Sequence, residues 1–446
     1  MSGDFARPPR LCGRLRVDCV RTDRAGARQL NNQQIAFRKS LALLFSRRFG
    51  TFWFASLLSN IGTWAQQVAQ PWLLLSLGAS SFLIGLDSFA MSAPVWLLTL
   101  VGGVLADRAD RRRVITLFQS IQMLCPLLLV VLLLNGAVQP WMVIALSLVV
   151  GVTDALSMPS FQSIVPSIVK HEQIATGLAL NSTQFNLSRI LGPALAGVLM
   201  AGVGAVGCFG VSAASYVPFI VIALWILPPR AATPAAVRVD SGHLFAGVGV
   251  IARDPYLRGA LLTVLITGAF CGPLIVFCPV LVKEALQGNV SHFSLAVGAF
   301  GVGGLLGAIG LLFVDPQRDR RHLIACFAAA FGVIVVLTAL NPWFWALPLL
   351  LMLAGLSMSV CNTSANSLLQ ASATPQLRGV TVSVFMLAVR GGTSLGGLLS
   401  GVTVSLLGVR PALLLNGVIA VAAIAFFSRQ WLRVPPRPVE HPVGGI

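Results

Sequence analysis

The sequence predicts an all-α, polytopic membrane protein with twelve transmembrane helices in two pseudo-symmetric six-helix bundles. Of its 446 residues, 56% are hydrophobic and only 10% are charged, whereas soluble domains carry about 25% charged residues. Many apolar runs reach the length of about 20 residues that spans a bilayer as a helix. These runs are continuous and rich in Leu, Ala and Gly, so they lack the alternation of membrane β-strands.

The twelve apolar segments follow one another along the whole chain. They lie near 49–75, 82–106, 114–135, 139–161, 174–202, 205–228, 257–286, 292–314, 322–340, 343–369, 379–407 and 409–432. Their connections form two alternating sets, and one set, together with both tails, holds nearly all the basic residues. The other set holds only Lys283 and Arg410. By the positive-inside rule the basic set and both termini are cytoplasmic. The net charge of +17 therefore reflects topology, and we expect no nucleic-acid partner.

The longest internal connection divides the chain into two bundles. Residues 229–256 are the only internal stretch poor enough in large apolar residues to be a linker, and six predicted helices lie on each side. We therefore predict a first bundle at 49–228 and a second at 257–432. Residues 1–48 lack the apolar core of a cleaved signal peptide, and we expect a disordered basic tail held near anionic lipid heads. Residues 433–446 form a second cytoplasmic tail.

The two bundles resemble each other in sequence. DRADRRRV at 107–114, after the second predicted helix, is matched by DPQRDRRHL at 315–323, after the eighth. GLALNSTQFNLSRILGPALAG at 177–197 is matched in pattern by GVTVSVFMLAVRGGTSLGGLLSG at 379–401. Repeated halves about a membrane-normal axis are a transporter architecture, with the substrate path between the halves.

One polar cluster follows the second helix. GGVLADRADRRR concentrates two acids and four arginines in an otherwise apolar region and resembles the signature loop of the major facilitator superfamily, with Asp110 where that family usually has glycine. The resemblance implies a latch on the cytoplasmic side. A glycine lets the second helix approach the eleventh, Asp107 lies at the N-terminus of the eleventh helix, and arginines bond helix-end groups. A plain topology anchor is the alternative, but it does not explain Asp107. The predicted gate motif is Gly103, Asp107, Arg108, Arg111 and Arg112.

Two longer stretches narrow the resemblance. FSRRFGTFWFASLLSNIGTWAQQVAQPWLL and MPSFQSIVPSIVKHEQIATGLALNSTQFNLSRILGPALAGVL are similar to bacterial siderophore exporters of the enterobactin-exporter type and allied efflux proteins. LGPALAG also resembles a Gly-Pro motif of drug/proton antiporters, although Asn181 and Ser188 stand where that motif has glycines. Gly192, Pro193 and Gly197 are expected to kink and thin the fifth helix where the halves meet.

The resemblance implies a secondary active transporter of the bacterial inner membrane that exports a siderophore or a drug-like compound by alternating access. Protons are the expected coupling ion, and no cofactor, metal or oligomer is required. Uptake of a metabolite or lysolipid by the same fold is the alternative. A membrane-embedded enzyme would need a convergent His, Cys or carboxylate cluster, and a sensor would normally carry a soluble domain. The sequence shows neither, and it has no Walker-type loop for ATP.

Ionisable residues at bilayer depth are costly, so each is a candidate site residue. A rise of about 1.5 Å per residue places Arg189 and Asp87 at similar depth in the outer part of the membrane. They are expected either to act at an anion site or gate, or to form a structural pair. Asp154 lies nearer the cytoplasmic edge, where a bond to the following turn is favoured over proton transfer. Arg390, with no acid on its own helix, is assigned to a cavity or gate.

Uncharged polar residues recur at helical spacing on three predicted helices, the first, fifth and tenth. Interhelical hydrogen bonding accounts for any one of them, but three such faces together predict a polar cavity between the halves. Two aromatic residues, Trp64 and Phe185, lie beside these faces. The polar candidates are Asn60, Thr63, Gln67 and Gln70 on the first helix, Asn181 and Gln184 on the fifth, and Ser359, Asn362 and Asn366 on the tenth.

Overall fold

The computed structural model describes residues 41–162, 164–227, 254–314, 319–372 and 378–433. Within these ranges twelve long helices follow the predicted order, and most of both tails and of the linker lies outside them. The helices are α1 (Phe49–Ser76), α2 (Ser81–Arg108), α3 (Arg111–Leu134), α4 (Pro140–Gln162), α5 (Ile174–Gly202), α6 (Gly204–Ile226), α7 (Pro255–Ile266), α8 (Val290–Leu312), α9 (Arg321–Leu340), α10 (Leu347–Ser372), α11 (Arg378–Leu407) and α12 (Val409–Leu432).

The seventh segment departs from the single regular helix that the sequence predicts at 257–286. Prolines lack the amide hydrogen that a regular helix needs, and Pro273 and Pro279 both fall in this segment. The chain therefore continues beyond α7 in wider turns and short helices. These pieces are a π-helical turn at Thr267–Cys271, helices at Pro273–Val276 and Cys278–Val280, and a second π-helical turn at Leu281–Ala285.

Nine helices in the described ranges are long and apolar enough to cross a membrane. The other three are α1, α2 and α11, and the described side chains of α2 form an apolar stretch at Ser81–Val95. Polar side chains such as Gln67 in α1 and Arg390 in α11 lower the hydropathy of the remaining two. Helices of this kind face other helices or water rather than lipid.

The two halves of the structure use the same helix pairs. In residues 49–226 α2 packs on α4 and α3 packs on α6, while in residues 255–432 α8 packs on α10 and α9 packs on α12. Between the halves, α2 crosses α11 and α5 crosses α8.

Small residues allow the helices of opposite halves to approach at both crossings. A Cβ atom at Gly85 of α2 would collide with the backbone of Gly397 on α11. A Cβ atom at Gly197 of α5 would lie 2.7 Å from the Ser294 carbonyl oxygen and 3.2 Å from the Gly298 Cα atom on α8. Close backbone approach of this kind is how helices associate in lipid.

The two ends of the molecule differ in how the halves meet. We call the end where α2 passes into α3 the arginine-rich end and the opposite one, where α1 passes into α2, the arginine-poor end. At the arginine-poor end one apolar core crosses both halves and includes Leu74 of α1 and Phe277 of the seventh segment. Trp72 stacks on Phe293 of α8 with ring centroids 4.9 Å apart. Lys283 Nζ donates to the Leu75 carbonyl oxygen at 3.5 Å.

At the arginine-rich end the first half has a core of its own. Phe49, Phe52, Ile115, Ile164 and Phe219 belong to this cluster, and every described member comes from the first half. The two halves therefore share one apolar core at the arginine-poor end. At the arginine-rich end the described core of the first half includes no residue of the second half.

Candidate functional site

The polar side chains of α1 divide between the interior of the first half and the space between the halves. Thr63 Oγ1 lies 3.0 Å from the hydroxyl of Tyr216 on α6, and Gln70 is buried against α2 and α4. The polar atoms of both bond within the first half, and their assignment to the cavity stays a prediction. Asn60 and Gln67 are half-buried and remain candidates for the space between the halves.

Asp87 is held by a buried hydrogen-bond network inside the first half. Gln70 Nε2 lies 2.9 and 2.7 Å from the two carboxylate oxygens, and Ser147 Oγ donates to Oδ1 at 2.6 Å. All three residues are buried, and Asp87 is 5% exposed. The expected pairing with Arg189 is wrong, because neutral donors from α1 and α4 occupy the Asp87 oxygens.

A salt bridge joins the two halves between α4 and α11. Arg390 Nη1 donates to Asp154 Oδ2, and the two side chains are 29% and 33% exposed. Asp154 was expected to bond the turn that follows it, and this expectation is wrong for its carboxylate. Only the Ser157 hydroxyl bonds locally, to the Asp154 backbone carbonyl at 3.3 Å. Arg390 thus obtains its acid from the opposite half, 236 positions away in sequence.

Arg189 has no carboxylate partner and no hydrogen bond among the described residues. It lies near the middle of α5, about 20 Å from either end at 1.5 Å per residue. The side chain is half-buried and lies within electrostatic range of Cys361 on α10. An arginine at this depth is costly unless it meets water or an anion.

The neighbours of Arg189 place it on the side of α5 that faces the space between the halves. Gly192 packs against Trp64 of α1, while Ile190 packs against α8. Val198, nine residues further on, lies on the opposite side of the helix at 100° per residue and is 71% exposed. Arg189 therefore points between the α1 contact and the α8 contact, away from the lipid-facing side.

An aromatic pair adjoins Arg189. Phe185, one turn earlier on α5, meets Trp64 edge to face with ring centroids 6.2 Å apart. Gln184 does not join them: it is 2% exposed, and its Nε2 has no hydrogen-bond partner in the described part of the chain. Its placement in an open cavity is therefore wrong.

The asparagine side chains predicted for the cavity on α10 and near the start of α5 are partly exposed. Asn181, Asn362 and Asn366 are half-buried, and Asn366 Oδ1 accepts from Gln370 Nε2 at 2.9 Å. Sequence reasoning missed Ser147 and Cys361, because a lone serine or cysteine in an apolar helix carries no signal of its neighbours.

The predicted gate motif is described only in part. The side chains of Asp107 and Arg108 lie outside the described ones, and the surroundings of Gly103 are likewise outside them. Asp110 caps α3 by accepting from the Arg112 amide at 3.0 Å, with φ of −66°. Asp110 therefore serves as an ordinary helix cap, and the turn needs no positive φ there. The side chains of Arg111 and Arg112 form no hydrogen bond with a described residue, so the latch stays a prediction.

The corresponding loop of the second half is fastened to its own bundle. Asp319 accepts from the Arg321 amide at 3.0 Å, and the Arg321 guanidinium returns to both carboxylate oxygens at 2.7–3.1 Å. Arg321 is 2% exposed, donates to the Trp431 carbonyl at 3.3 Å and lies 4.7 Å from the ring centroid of Tyr256. Hydrogen bonding from Arg321 holds the pKa of Asp319 below its ordinary value of 3.8.

The Gly-Pro segment of α5 acts through close packing. A Cβ atom at Gly192 would collide with Trp64, and Gly197 lies at the α8 crossing described above. Pro193 is buried, and α5 continues through it to Gly202.

Comparison with known proteins identifies the family. Residues 38–438 match the family model of transmembrane secretion effectors. The chain belongs to this family, which is part of the major facilitator superfamily. Its members are membrane transporters, so this protein is a multi-pass membrane transporter and not an enzyme. The family resemblance drawn from the loop after α2 is thereby confirmed.

Several curated relatives align with most of the chain. The staphyloferrin A transporter of Staphylococcus aureus is 23% identical over 401 residues, covering 87% of this chain and 98% of the relative. The multidrug efflux pump Tap of Mycolicibacterium fortuitum is 25% identical over 387 residues, covering 82% and 93%. The enterobactin exporter EntS of Salmonella typhimurium is 26% identical over 267 residues, covering 58% and 62%.

Solved structures share the fold at low sequence identity. The nucleoside transporter NupG superposes with a TM-score of 0.65 at 13% identity, covering 87% of this chain and 100% of that one. A bacterial homologue of the lysosomal transporter Spinster, in an inward-facing and occupied conformation, superposes with a TM-score of 0.65 at 17% identity, covering 87% and 98%. The predicted major facilitator fold is confirmed.

Proposed function

We propose that this transporter exports a small organic molecule, a siderophore or a drug-like compound, across the bacterial inner membrane in exchange for protons. The arrangement of the apolar cores carries this proposal. The halves share one core at the arginine-poor end and have separate cores at the arginine-rich end, with polar side chains between them. Alternating access requires a central site that opens to one side at a time. Relatives named as a multidrug efflux pump and an enterobactin exporter support the outward direction.

The arginine-rich end is the cytoplasmic end in this proposal, because basic connections stay in the cytoplasm. Both termini are then cytoplasmic, and the two bundles at 49–228 and 257–432 rock about the central site. With the arginine-poor end packed shut, the conformation described here faces the cytoplasm, from which an exported compound enters.

Asp154 is the proposed proton carrier. Its carboxylate makes the salt bridge to Arg390 across the halves, so binding of a proton removes an attraction that acts between α4 and α11. Asp87 is the second acid at bilayer depth, but its network lies wholly inside the first half. Protonation of Asp154 therefore acts directly on the contact that must change when the halves tilt.

Everted inner-membrane vesicles test the proposal. Vesicles containing the protein should accumulate an exported compound when their interior is made acidic, and a deletion strain should retain more of that compound than the wild type. Asp154→Asn, which cannot carry a proton, should lower proton-driven accumulation about ten-fold or more, since a positioned acid or base contributes factors of this order and larger. Glu284→Gln is the matched control, because Glu284 is an exposed acid at the arginine-poor end.

Two outcomes contradict this proposal. If a pH gradient drives no accumulation of any compound that the deletion strain retains, proton antiport is wrong. If the deletion strain contains less of the compound than the wild type, the direction is uptake.

A further inference from the structure

We infer that the exported compound carries a carboxylate or another anionic group that binds Arg189, next to an aromatic wall formed by Trp64 and Phe185. This inference rests on the proposed function and specifies the substrate class of the same site. The two halves repeat the same arrangement of helices, so a contact made by one half has a counterpart made by the other. The inference depends on a difference between two such counterparts.

The first step is the equivalence of the two contacts. α4 and α5 are the fourth and fifth helices of the first half, and α10 and α11 are those of the second. Arg390 of α11 reaches α4 of the opposite half, where Asp154 is its partner. Arg189 of α5 lies within electrostatic range of Cys361 on α10 of the opposite half. Asp154 and Cys361 hold the same position, counted from the first residue of α4 and of α10.

The second step is the charge of Arg189, which has no acidic partner among the described residues. One contact is neutral overall because the acid balances Arg390. In the other contact a thiol stands where the acid would be, and the positive charge of Arg189 stays uncompensated by any described residue. Asp87 cannot supply the missing charge, because it is 5% exposed and bonded to Gln70 and Ser147.

The third step is access. Arg189 is half-buried and faces the space between the halves, as its Gly192 and Ile190 neighbours show. A charge near the middle of the membrane is retained only where it meets water, a partner charge or a ligand. The planar guanidinium binds carboxylate and phosphate groups through two parallel hydrogen bonds. A mobile anion in the transport path therefore satisfies Arg189 when the cargo is bound.

The aromatic pair defines the rest of the ligand. Trp64 and Phe185 lie edge to face with centroids 6.2 Å apart, and Phe185 is one turn from Arg189. Aromatic side chains offer a large apolar surface with defined geometry. The site thus fits an amphipathic anion with a ring system, and it disfavours a cation, which the guanidinium repels.

A pair of xanthene dyes tests the sign of the charge directly. Carboxyfluorescein is anionic and rhodamine 6G is cationic, while their ring systems are alike. Fluorescence anisotropy of each dye is measured against the purified full chain in lipid nanodiscs. We expect the wild type to bind carboxyfluorescein at least about ten-fold more tightly than rhodamine 6G, since hydrogen bonds to charged groups contribute about 1.5–3 kcal/mol.

Three variants define the role of the residue. Arg189→Gln should weaken carboxyfluorescein binding about ten-fold. Arg189→Lys keeps the charge but loses the planar guanidinium, so its affinity for carboxyfluorescein should lie between those of the wild type and Arg189→Gln. Arg410→Gln is the matched control, because Arg410 donates to the Ala285 carbonyl at the arginine-poor end at 3.3 Å. It should bind both dyes as the wild type does. Thermal melting of each variant in the same nanodiscs verifies that it is folded.

Three results overturn the inference. They are equal or tighter binding of rhodamine 6G by the wild type, unchanged carboxyfluorescein binding by Arg189→Gln, and binding of neither dye. Each leaves the export proposal intact if everted vesicles still accumulate a retained compound. Conversely, selective anion binding that needs Arg189 supports the inference even when a pH gradient drives no accumulation.

Discussion

Two arginines lie on corresponding helices of the two halves, and the protein neutralises only one of them. Arg390 on α11 is paired with Asp154 across the halves, whereas Arg189 on α5 lies within electrostatic range of Cys361 and has no acid among the described residues. The same backbone arrangement therefore supports two kinds of contact. One charge is paired across the halves and the other has no described acid; in the proposals above a proton releases the first and a ligand binds the second.

The comparison also separates the two buried acids. Asp154 and Asp87 were both candidates for coupling on sequence grounds, but only Asp154 bonds a residue of the other half. Asp87 instead ties α1, α2 and α4 together through Gln70 and Ser147. Depth in the membrane is thus a weaker guide to coupling than the identity of the partner helix.

Reversal of the paired arginine should have the largest effect. Arg390→Asp places two carboxylates in contact between α4 and α11, and like charges in a poorly solvated contact repel. Export in everted vesicles should fall by about ten-fold or more, because the repulsion separates two helices that must meet in this conformation.

The double variant Asp154→Arg with Arg390→Asp provides the control for that reversal. It restores opposite charges with their positions exchanged, so export should recover at least in part. If the double variant is no more active than Arg390→Asp alone, the salt bridge is not what the first change disrupts.

Neutral substitutions at the two arginines should have smaller effects than the charge reversal, and the two substitutions should change stability differently. Arg390→Gln leaves Asp154 without its partner and should lower the melting temperature by about 1 °C, the shift that about 1 kcal/mol produces in a chain of 446 residues. Arg189→Gln removes an uncompensated charge and should leave the melting temperature unchanged or higher. Scanning fluorimetry in nanodiscs without added ligand measures both. A similar loss for both variants would contradict the distinction between the paired and the unpaired arginine.

The smallest effect concerns the loop of the second half. The pKa of Asp319 is lowered by Arg321, so its carboxylate stabilises the folded state at pH values above the ordinary pKa of 3.8. This contribution is lost as pH falls through the lower pKa of the folded state. Asp319→Asn should reduce stability at neutral pH by less than about 1 kcal/mol, as for partly exposed ion pairs.

The pH dependence distinguishes this effect from simple loss of a helix cap. The difference between wild type and Asp319→Asn should shrink when melting is measured near pH ~3 instead of pH ~7. Asp110→Asn, at the corresponding cap of α3, is the matched comparison because the nearby Arg113 is exposed. If the stability difference between the wild type and Asp319→Asn is the same at both pH values, the charge of Asp319 plays no part in it.

Most of the architecture was predictable, because hydrophobicity in a membrane acts locally along the chain. Continuous apolar runs predicted the helices and their order, including the two groups of six. The irregular seventh segment was missed, although Pro273 and Pro279 are visible in the sequence, because prolines are also tolerated inside membrane helices, as Pro193 is in α5.

The site was predictable in its residue types but not in its partners. Spacing on α1 drew attention to Thr63 and Gln70, yet these face Tyr216 and Asp87 inside the first half. Helical periodicity shows which side chains share a face of a helix, but it does not show which neighbouring helix covers that face. Ser147, which completes the Asp87 network, and Cys361, which lies within electrostatic range of Arg189, carry no signal in sequence.

The sequence by itself determined that this chain spans a membrane, how many helices it has, and which family it joins, because these follow from local composition and from one polar loop. Only the tertiary structure decided which charges meet, because the salt bridge between α4 and α11 brings together residues far apart in the chain, and because electrostatic energy depends on distance. Those contacts leave Arg390 satisfied and Arg189 open.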